Sequence, residues 1–414
     1  VEQARHVEVQ IFGDGTGRVV SLGDRDCSLQ RRNQKVIEEA PAPRLPEAVR
    51  RQLHSASRAL AQSVAYRSAG TVEFVYDAHR DEASFLEVNA RLQVEHPVTE
   101  AVTRIDLASW MFRLARGDRD VLDDHLRPGA HTGEVPVRGH SVEARVYAED
   151  PSRDYRPSTG TLTAVAFPRA EHVRVDTWVQ AGTEVSASYD PLLAKVITVG
   201  EHRDEAFDRL GSALDLTALH GIEVNTGLLR AAVDHPDVRA ATHTTSTMAA
   251  VTDPRPRITV ERAGLLTTVQ DLPGRVGLWD VGVPPSGPMD DLSFRLGNSA
   301  LGNPEDAPGL ECTASGPALH FTHPTTVCVT GAECLVTVNG SPVPMWEPIA
   351  LPAGALLDVG AAETAGLRTY VLVAGGFDVP AYLGSASTFT LGRFGGHGGR
   401  QLVGGDVLRA GPSP

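Results

Sequence analysis

The chain has 414 residues, enough for two or three domains. Its 38 lysines and arginines against 52 aspartates and glutamates give a net charge of −14, a balance that argues against a nucleic-acid partner. No apolar run approaches the roughly 18 residues of a membrane span, and the start lacks a charged-then-apolar leader pattern. Cys27, Cys312, Cys328 and Cys334 form no Cys-x-x-Cys pair and are too few for a disulfide scaffold, so a reduced, cytoplasmic protein fits best. The chain opens on Val1, not Met, inside an expected strand, and holds just two lysines, Lys35 and Lys195. Both features suggest a piece of something larger.

Residues Arg5 to Phe12 alternate His6, Glu8 and Gln10 with Val7, Val9 and Ile11, the period of a strand with one polar face. Asp14-Gly15 supplies hairpin chemistry into a second strand from Arg18 to Leu22. Arg25 to Lys35 gathers Arg25, Arg31, Arg32 and Lys35, which by charge alone reads as a solvated basic turn. Pro46 to Val64 places Val49, Leu53, Ala56, Leu60 and Val64 at helical spacing, predicting an amphipathic helix laid on a sheet. Thr71 to Tyr76 and Ser84 to Val94 read as paired strands, with Glu73 brought toward Glu87.

The stretch from Phe85 to Pro97 is the most informative. As a strand it puts Glu87, Asn89, Arg91, Gln93 and Glu95 on one face, with Leu86, Val88, Ala90, Leu92 and Val94 packed behind. Carboxylates beside Asn form a hard-oxygen set suited to Mg²⁺ near phosphate, and an Arg on that face can clamp a small planar anion.

Asp106 is expected to cap a helix with Leu107, Trp110, Met111 and Leu114 on its inner face, ended by Gly117. Strands follow at Val142 to Tyr147, with Glu143 and Arg145 on one face, and at Leu193 to Val199. A helix from Asp204 buries Ala206, Phe207, Leu210 and Leu214. From Ala241 to Arg257 the periodicity stops, and beyond it short Val/Leu runs between Gly and Pro give an all-β texture. This divides the chain into residues 1–104, 105–240, a linker at 241–257, and 258–414.

The segment Glu87-Val-Asn-Ala-Arg-Leu-Gln-Val-Glu-His-Pro97 closely resembles the biotin carboxylase signature of biotin-dependent carboxylases, which have the ATP-grasp fold. The likeness extends through Arg5-His-Val-Glu-Val-Gln10, Arg25-Asp-Cys-Ser-Leu-Gln-Arg-Arg-Asn-Gln-Lys35, Gly70-Thr-Val-Glu73 and Arg138-Gly-His-Ser-Val-Glu-Ala-Arg145. It reverses the solvated-turn reading of Arg25 to Lys35, because the resemblance implies that matching positions line the nucleotide and bicarbonate pocket. Asn33 stands where many acyl-CoA-linked members carry His, which excludes titrating chemistry there. Farther on, Gly264 to Arg275, Gly282-Val-Pro-Pro-Ser-Gly-Pro-Met-Asp290, Ala374 to Pro380 and Tyr382 to Gly392 look like the first part of the urea carboxylase carboxyltransferase domain. That domain type also occurs in a subunit of bacterial 5-oxoprolinases.

The resemblance implies an α+β ATP-grasp biotin carboxylase portion followed by a mainly β, cyclophilin-like carboxyltransferase portion. It implies ATP-driven carboxylation of urea to allophanate by way of biotin. Glu73, Glu87 and Asn89 would hold Mg²⁺ or Mn²⁺, and His6 and Gln30 would sit by the nucleotide. Lys35, Arg91, Gln93 and the Val94 backbone would bind bicarbonate, Glu95 would remove its proton, and Arg145 would stabilise the biotin enolate. The partners implied are bicarbonate, urea, a biotin carrier domain and a second copy of the chain, with no nucleic acid and no membrane. The resemblance also expects further segments on both sides: a glycine-rich ATP loop with phosphate-binding lysines before, and the remaining carboxyltransferase and the carrier after. Guanidine as acceptor, a 5-oxoprolinase-related hydrolase subunit and an inactive binding module are the alternatives.

In the second half, Gln270, Asp271 and Asp290 read either as ligands for a small amide or as turn caps. Gly395-Gly-His-Gly-Gly-Arg400 reads either as an anion nest or as a glycine loop. Ser286 and Ser385 lie outside any Gly-x-Ser-x-Gly elbow, which gives a serine hydrolase little support.

Overall fold

The computed structural model describes residues 3–118, 120–126, 133–363 and 365–412; Val1, expected in a strand, lies outside them. The first part is built on an eight-stranded antiparallel sheet. Its strands are β1 (Ala4–Asp14), β2 (Val19–Arg31), β3 (Gln34–Ala40), β4 (Arg67–Asp77), β5 (Glu82–Asn89), β6 (His140–Tyr147), Val173–Thr177 and Leu192–Gly200. Across the sheet they run Val173–Thr177, Leu192–Gly200, β6, β3, β2, β1, β4, β5. Residues from both sides of the expected 104/105 division thus share one sheet.

Local chemistry sets the hairpins. Asp14 Oδ1 accepts from the Thr16 amide at 2.8 Å between β1 and β2. Arg32 and Asn33 join β2 to β3 with φ of 49° and 66°. Both residues lie in the left-handed region that a two-residue hairpin of matching twist requires, and Asn tolerates it better than most side chains. Arg31 and Lys35 therefore lie at the hairpin ends of two interior strands, and only Arg32 and Asn33 form the turn.

Helix α1 (Glu47–Ser63) lies on β1 and β2. Val7, Val9 and Ile11 pack against its Val49, Leu53 and Ala61, which leaves His6, Glu8 and Gln10 for the opposite face of the sheet, as their alternation predicts. The helix's inner face differs from the one expected. Ala56 is exposed, as are Leu60 and Val64 at 39% and 65%, while His54 and Ser57 are buried in their place. A buried polar side chain is tolerated where it is hydrogen-bonded. His54 is held by Ser21 at 3.1 Å and Asp24 at 3.0 Å, while Ser57 Oγ is buried with no hydrogen-bond partner among the described residues. The buried stripe follows residues 49, 53, 57 and 61, with His54 beside it.

Helices α2 (His96–Thr103) and α3 (Leu107–Arg116) follow β5. Asp106 caps α3 through the Ser109 amide at 2.7 Å, and Gly117 ends it at φ 100°, as the sequence predicts. Leu107, Trp110 and Leu114 join Phe12, Val20 and Leu22 in a core cluster, where each fully buried large side chain contributes about 1.5–3 kcal/mol. The later helix spans Arg203–Asp215 and buries Ala206, Phe207, Leu210 and Leu214, but His202, not Asp204, marks its start.

Past residue 257 the chain forms two facing antiparallel sheets. One contains Ile258–Arg262, Ala318–Phe321, Cys334–Val338 and Ala355–Ala362, the other Leu266–Gln270, Gly309–Thr313, Thr325–Gly331 and Arg368–Val373. Their inner faces fill a single core containing Val260, Leu319 and Leu357 from the first and Val269, Leu310 and Val371 from the second. Residues 241–257 have no strand, yet they pack down on the first part: Met248 and Val251 join the core beside β6, and His243 Nε2 lies 3.3 Å from Asp26. Arg257 then pairs with Asp150 through two 2.8 Å hydrogen bonds, tying the two parts together. Among the described residues no helix is long and apolar enough to cross a membrane.

Candidate active site

Strand β5 ends at Asn89, not at Val94. Its register with β4 sets Thr71 opposite Asn89 as the last pair, and Pro97 then opens α2, whose first turn has no use for the missing amide proton. Residues 90–95 therefore leave the ladder and fold inward. β5 is also the edge of the sheet, so its apolar side chains do not back into a core: Phe85, Leu86 and Val88 are 56%, 51% and 38% exposed. The even alternation overstated the strand, but the polar residues still meet.

They meet because β1, β2, β3, β4 and β6 all present side chains to the same space. A cleft of about 590 Å³ is lined by His6, Gln30, Lys35, Glu73, Glu87, Asn89, Arg91, Gln93, Val94, Glu95 and Arg145. All eleven site residues that the biotin carboxylase resemblance implies line this one cleft. Asn33 lines it too.

Two cations organise its acids. Lys35 Nζ lies 2.7 Å from Glu8, 3.0 Å from Glu73 and 2.5 Å from Glu95. Arg145 Nη2 donates to Glu95 Oε2 at 3.1 Å. Glu95, 2% exposed, thus has one carboxylate oxygen on each cation. Glu73 stands directly opposite Glu87 in the β4–β5 register. Glu73 also accepts from Gln93 at 2.8 Å and contacts His6 at 3.0 Å. Burial alone would raise Glu73, but His6 and Lys35 hold it well below the usual carboxylate range. His6 is raised in turn, burial being outweighed by its bond to Glu73 and the charge of Glu8. Glu87 and Arg91 are exposed to the cleft, and among the described residues the Arg91 guanidinium makes only a 3.3 Å bond to the adjoining Leu92 carbonyl.

Three supports were given no individual role in the sequence reading. Arg25, fully buried, donates to Glu8 at 2.6 Å, Gln10 at 2.8 Å, Thr99 at 2.9 Å, Thr71 at 3.2 Å and Gln93 at 2.9 Å. It thereby pins the 90–95 segment and the first turn of α2 to the sheet. Glu8 sits beneath Lys35, and its place on the polar face of β1 was the available signal. Lys195 Nζ donates to the Val94 carbonyl at 2.9 Å and pairs with Asp176 at 3.3 Å, orienting the Val94 peptide. Nothing in the strand pattern around Lys195 marks that contact, which forms only when the sheet closes.

The site makes one pH prediction. Burial would raise Glu8, but Arg25 and Lys35 overcome it and bring the carboxyl down to about 2. A carboxylate depressed by folding lends stability above its unfolded value, and this is lost as the pH falls through its folded value. From an ordinary 4.5 to 2 the contribution is about 3 kcal/mol. Unfolding free energy should therefore drop between about pH 4.5 and 2, and Glu8→Gln should flatten that drop in an acid titration followed by urea unfolding.

In the second part the competing readings separate. Asp290 caps the helix Asp291–Ala300 through the Ser293 amide at 3.1 Å. Asp271 accepts from Ser385 Oγ at 2.5 Å and from the Ala386 and Ser387 amides at 2.7 Å and 3.1 Å. Gln270 accepts from the Gly287 amide at 2.9 Å. These groups hold loops. In the glycine run, Arg400 forms two bonds of 2.7 Å and 2.8 Å to Asp406, which also lies 3.5 Å from His397, so the nest's cations already have an anion. All four cysteines are free and buried.

Three family matches cover the chain in order. Residues 1–121 match the carbamoyl-phosphate synthase L chain ATP-binding domain, 143–250 the biotin carboxylase C-terminal domain, and 281–414 the carboxyltransferase domain, subdomains A and B. The chain is 48% identical to urea amidolyase of Saccharomyces cerevisiae over 408 residues, 99% of this chain and 22% of that protein. It is 49% identical to the solved urea carboxylase of Kluyveromyces lactis, with a TM-score of 0.90, over 99% of this chain and 35% of that one. The biotin carboxylase domain dimer of Hydrogenobacter thermophilus 2-oxoglutarate carboxylase, solved with MgADP, ADP and bicarbonate, is 37% identical with a TM-score of 0.56, over 60% and 53% of the two chains. The chain thus spans about a fifth to a third of the length of the first two relatives. With the cleft, the sheet order and all three domain matches in register, the chain belongs to the urea carboxylase and urea amidolyase family of biotin-dependent carboxylases.

Proposed function

We propose that this chain supplies the bicarbonate-handling cleft of an ATP- and biotin-dependent urea carboxylase, joined to the start of the domain that delivers the carboxyl group to urea. The convergence of Lys35, Arg91, Gln93, Val94, Glu95 and Arg145 on one cleft carries the reading. Bicarbonate is a planar anion with one proton to lose. Lys35, Arg91, Gln93 and the Val94 amide would hold its oxygens, and Glu95, gripped between two cations, would take the proton. Arg145, on the other side of Glu95, would stabilise negative charge on the ureido group of biotin.

The donor set also fits a hard divalent ion. Glu87 and Asn89 offer side-chain oxygens to the open cleft, and Glu73 faces Glu87 across the strand pair. Mg²⁺ or Mn²⁺ held by these three would offset phosphate charge, with His6 and Gln30 beside the nucleotide. The relative's bound MgADP and bicarbonate support this assignment. Biotin, when bound, supplies the nitrogen that carries the carboxyl group between sites.

On this reading residues 1–104 form the ATP-grasp portion, 105–240 the biotin carboxylase C-terminal domain and 258–414 the carboxyltransferase start. The paired six- and five-stranded sheets of the last are consistent with a cyclophilin-like assembly. A biotin carrier domain and a second copy of the chain are its expected partners, in the cytoplasm.

The test is ADP release by the complete protein. It should require bicarbonate and urea together and yield allophanate, with guanidine in place of urea as the acceptor control. Turnover of 5-oxoproline, or ADP release indifferent to bicarbonate, would overturn the proposal.

A further inference from the structure

Behind the cleft, β3 and β6 bring together two carboxyl groups that the site above does not use. Glu38 and Glu143 are directly opposed in the strand register. Both are fully buried; Glu38 Oε1 faces the Arg145 guanidinium, and the other three oxygens have no hydrogen-bond partner among the described residues. Directly opposed residues of an antiparallel pair have Cβ atoms about 4.5–5.5 Å apart. Two anions at that separation in a dry interior cost far more than one anion beside an acid, and a proton resolves the conflict.

The pair is linked to the cleft through one side chain. Arg145 Nε lies 2.7 Å from Glu38 Oε1, and Nη2 of the same guanidinium reaches Glu95 Oε2 at 3.1 Å. Arg145 therefore faces two carboxyl groups, one in the cleft and one behind it.

We propose that Glu38 and Glu143 form a proton-holding pair that positions Arg145, an inference resting on the carboxylation reading above. With both protons in place, Arg145 directs its charge at Glu95 and the cleft. When Glu38 releases its proton to solvent, its carboxylate competes for the guanidinium from behind, and the hold on the cleft side weakens. Glu143 stays protonated and supplies a donor to the new anion. Neither glutamate touches substrate; both act through Arg145.

The surrounding charges place this change near neutrality. Burial raises Glu38, Arg145 and Lys35 oppose it and Glu95 adds to it, leaving the group at about 7. Glu143 is raised well above the ordinary range by burial and by Glu38, against Lys195 and Arg145. Cys27 and Tyr147, which also face the pair, are both pushed up by burial and stay neutral through this range.

Infrared difference spectra of the complete protein, wild type minus variant, test the pair through the carbonyl stretch of buried carboxylic acids. The wild type should keep that band above the pH at which exposed glutamates ionise, lose part of it at about pH 7 and retain the rest. Glu38→Gln should abolish the step; Glu143→Gln, which keeps the test open if the first variant does not fold, should abolish the retained part. In the pH profile of bicarbonate-dependent ATP cleavage with biotin, kcat should fall on a limb centred at about pH 7, and Glu38→Gln should remove that limb while leaving the acid limb in place. A merely structural role would lower the rate without moving the profile, and that result would overturn the positioning role. Loss of the whole band together with the exposed glutamates, at about pH 4–5, would overturn the pair itself. If the band behaves as stated but no bicarbonate-dependent cleavage exists, the carboxylation reading falls, and the positioning role with it, while the pair stands.

Discussion

Replacing Glu95 by Gln in the complete protein is expected to lower bicarbonate-dependent ATP cleavage about 10²–10⁴-fold, the usual contribution of a positioned general base. The substitution keeps the side chain's shape and one acceptor oxygen, but the amide nitrogen cannot accept from the second cation, so either Lys35 or Arg145 gives up its bond here. What is lost is the ability to accept a proton. Steady-state ADP release at saturating bicarbonate is the measurement, with the urea unfolding midpoint as the control for folding. A rate within threefold of wild type would remove Glu95 from the proposed role.

The largest stability effect is expected at Arg25. Arg25→Leu leaves the buried Glu8 carboxylate with Lys35 alone, and it strips donors from Gln93, Thr71 and Thr99 at once. Removing one partner of a buried ion pair costs about 3–5 kcal/mol. Arg32, seven residues on, pairs with Asp154 where both side chains are 65% and 74% exposed. Arg32→Ala should change stability by less than about 1 kcal/mol. Urea unfolding of the two variants side by side checks the contrast, and equal destabilisation would contradict it.

That contrast also marks how far the sequence could be read. Arg25 and Arg32 belong to one basic run, and charge count cannot separate a residue inside a sheet from one in a hairpin loop. The polar face of β1 was legible because Val7, Val9 and Ile11 alternate with it against a helix. The end of β5 was not, because alternation persists in the side chains after the backbone has left the ladder at Asn89. The inner face of α1 shifted for a related reason. His54 is a polar residue whose partners, Ser21 and Asp24, come from a strand far away in sequence. Lys195 likewise acquires its contact with Val94 only through the closed sheet. The eleven expected site residues were found together because family resemblance, rather than periodicity, selected them; periodicity gave their strands, and the tertiary fold gave their cations.

The cluster also shows what the acids and bases do for one another. Glu8, Glu73 and Glu95 surround Lys35, so the ammonium is held charged well above its ordinary range despite burial. A bound anion would meet that fixed charge together with the freer Arg91, without any need to recruit a cation from solvent.

The central claim is that bicarbonate binds in this cleft against Lys35, Arg91, Gln93 and Val94, within reach of Glu95. Crystals of the complete protein grown with MgADP and bicarbonate test it most directly. The account predicts planar density bridging Arg91 and Lys35, with one edge at hydrogen-bond distance from the Glu95 carboxylate. An active preparation whose bicarbonate lies elsewhere, with Arg91 turned away and the cleft holding none, would contradict it.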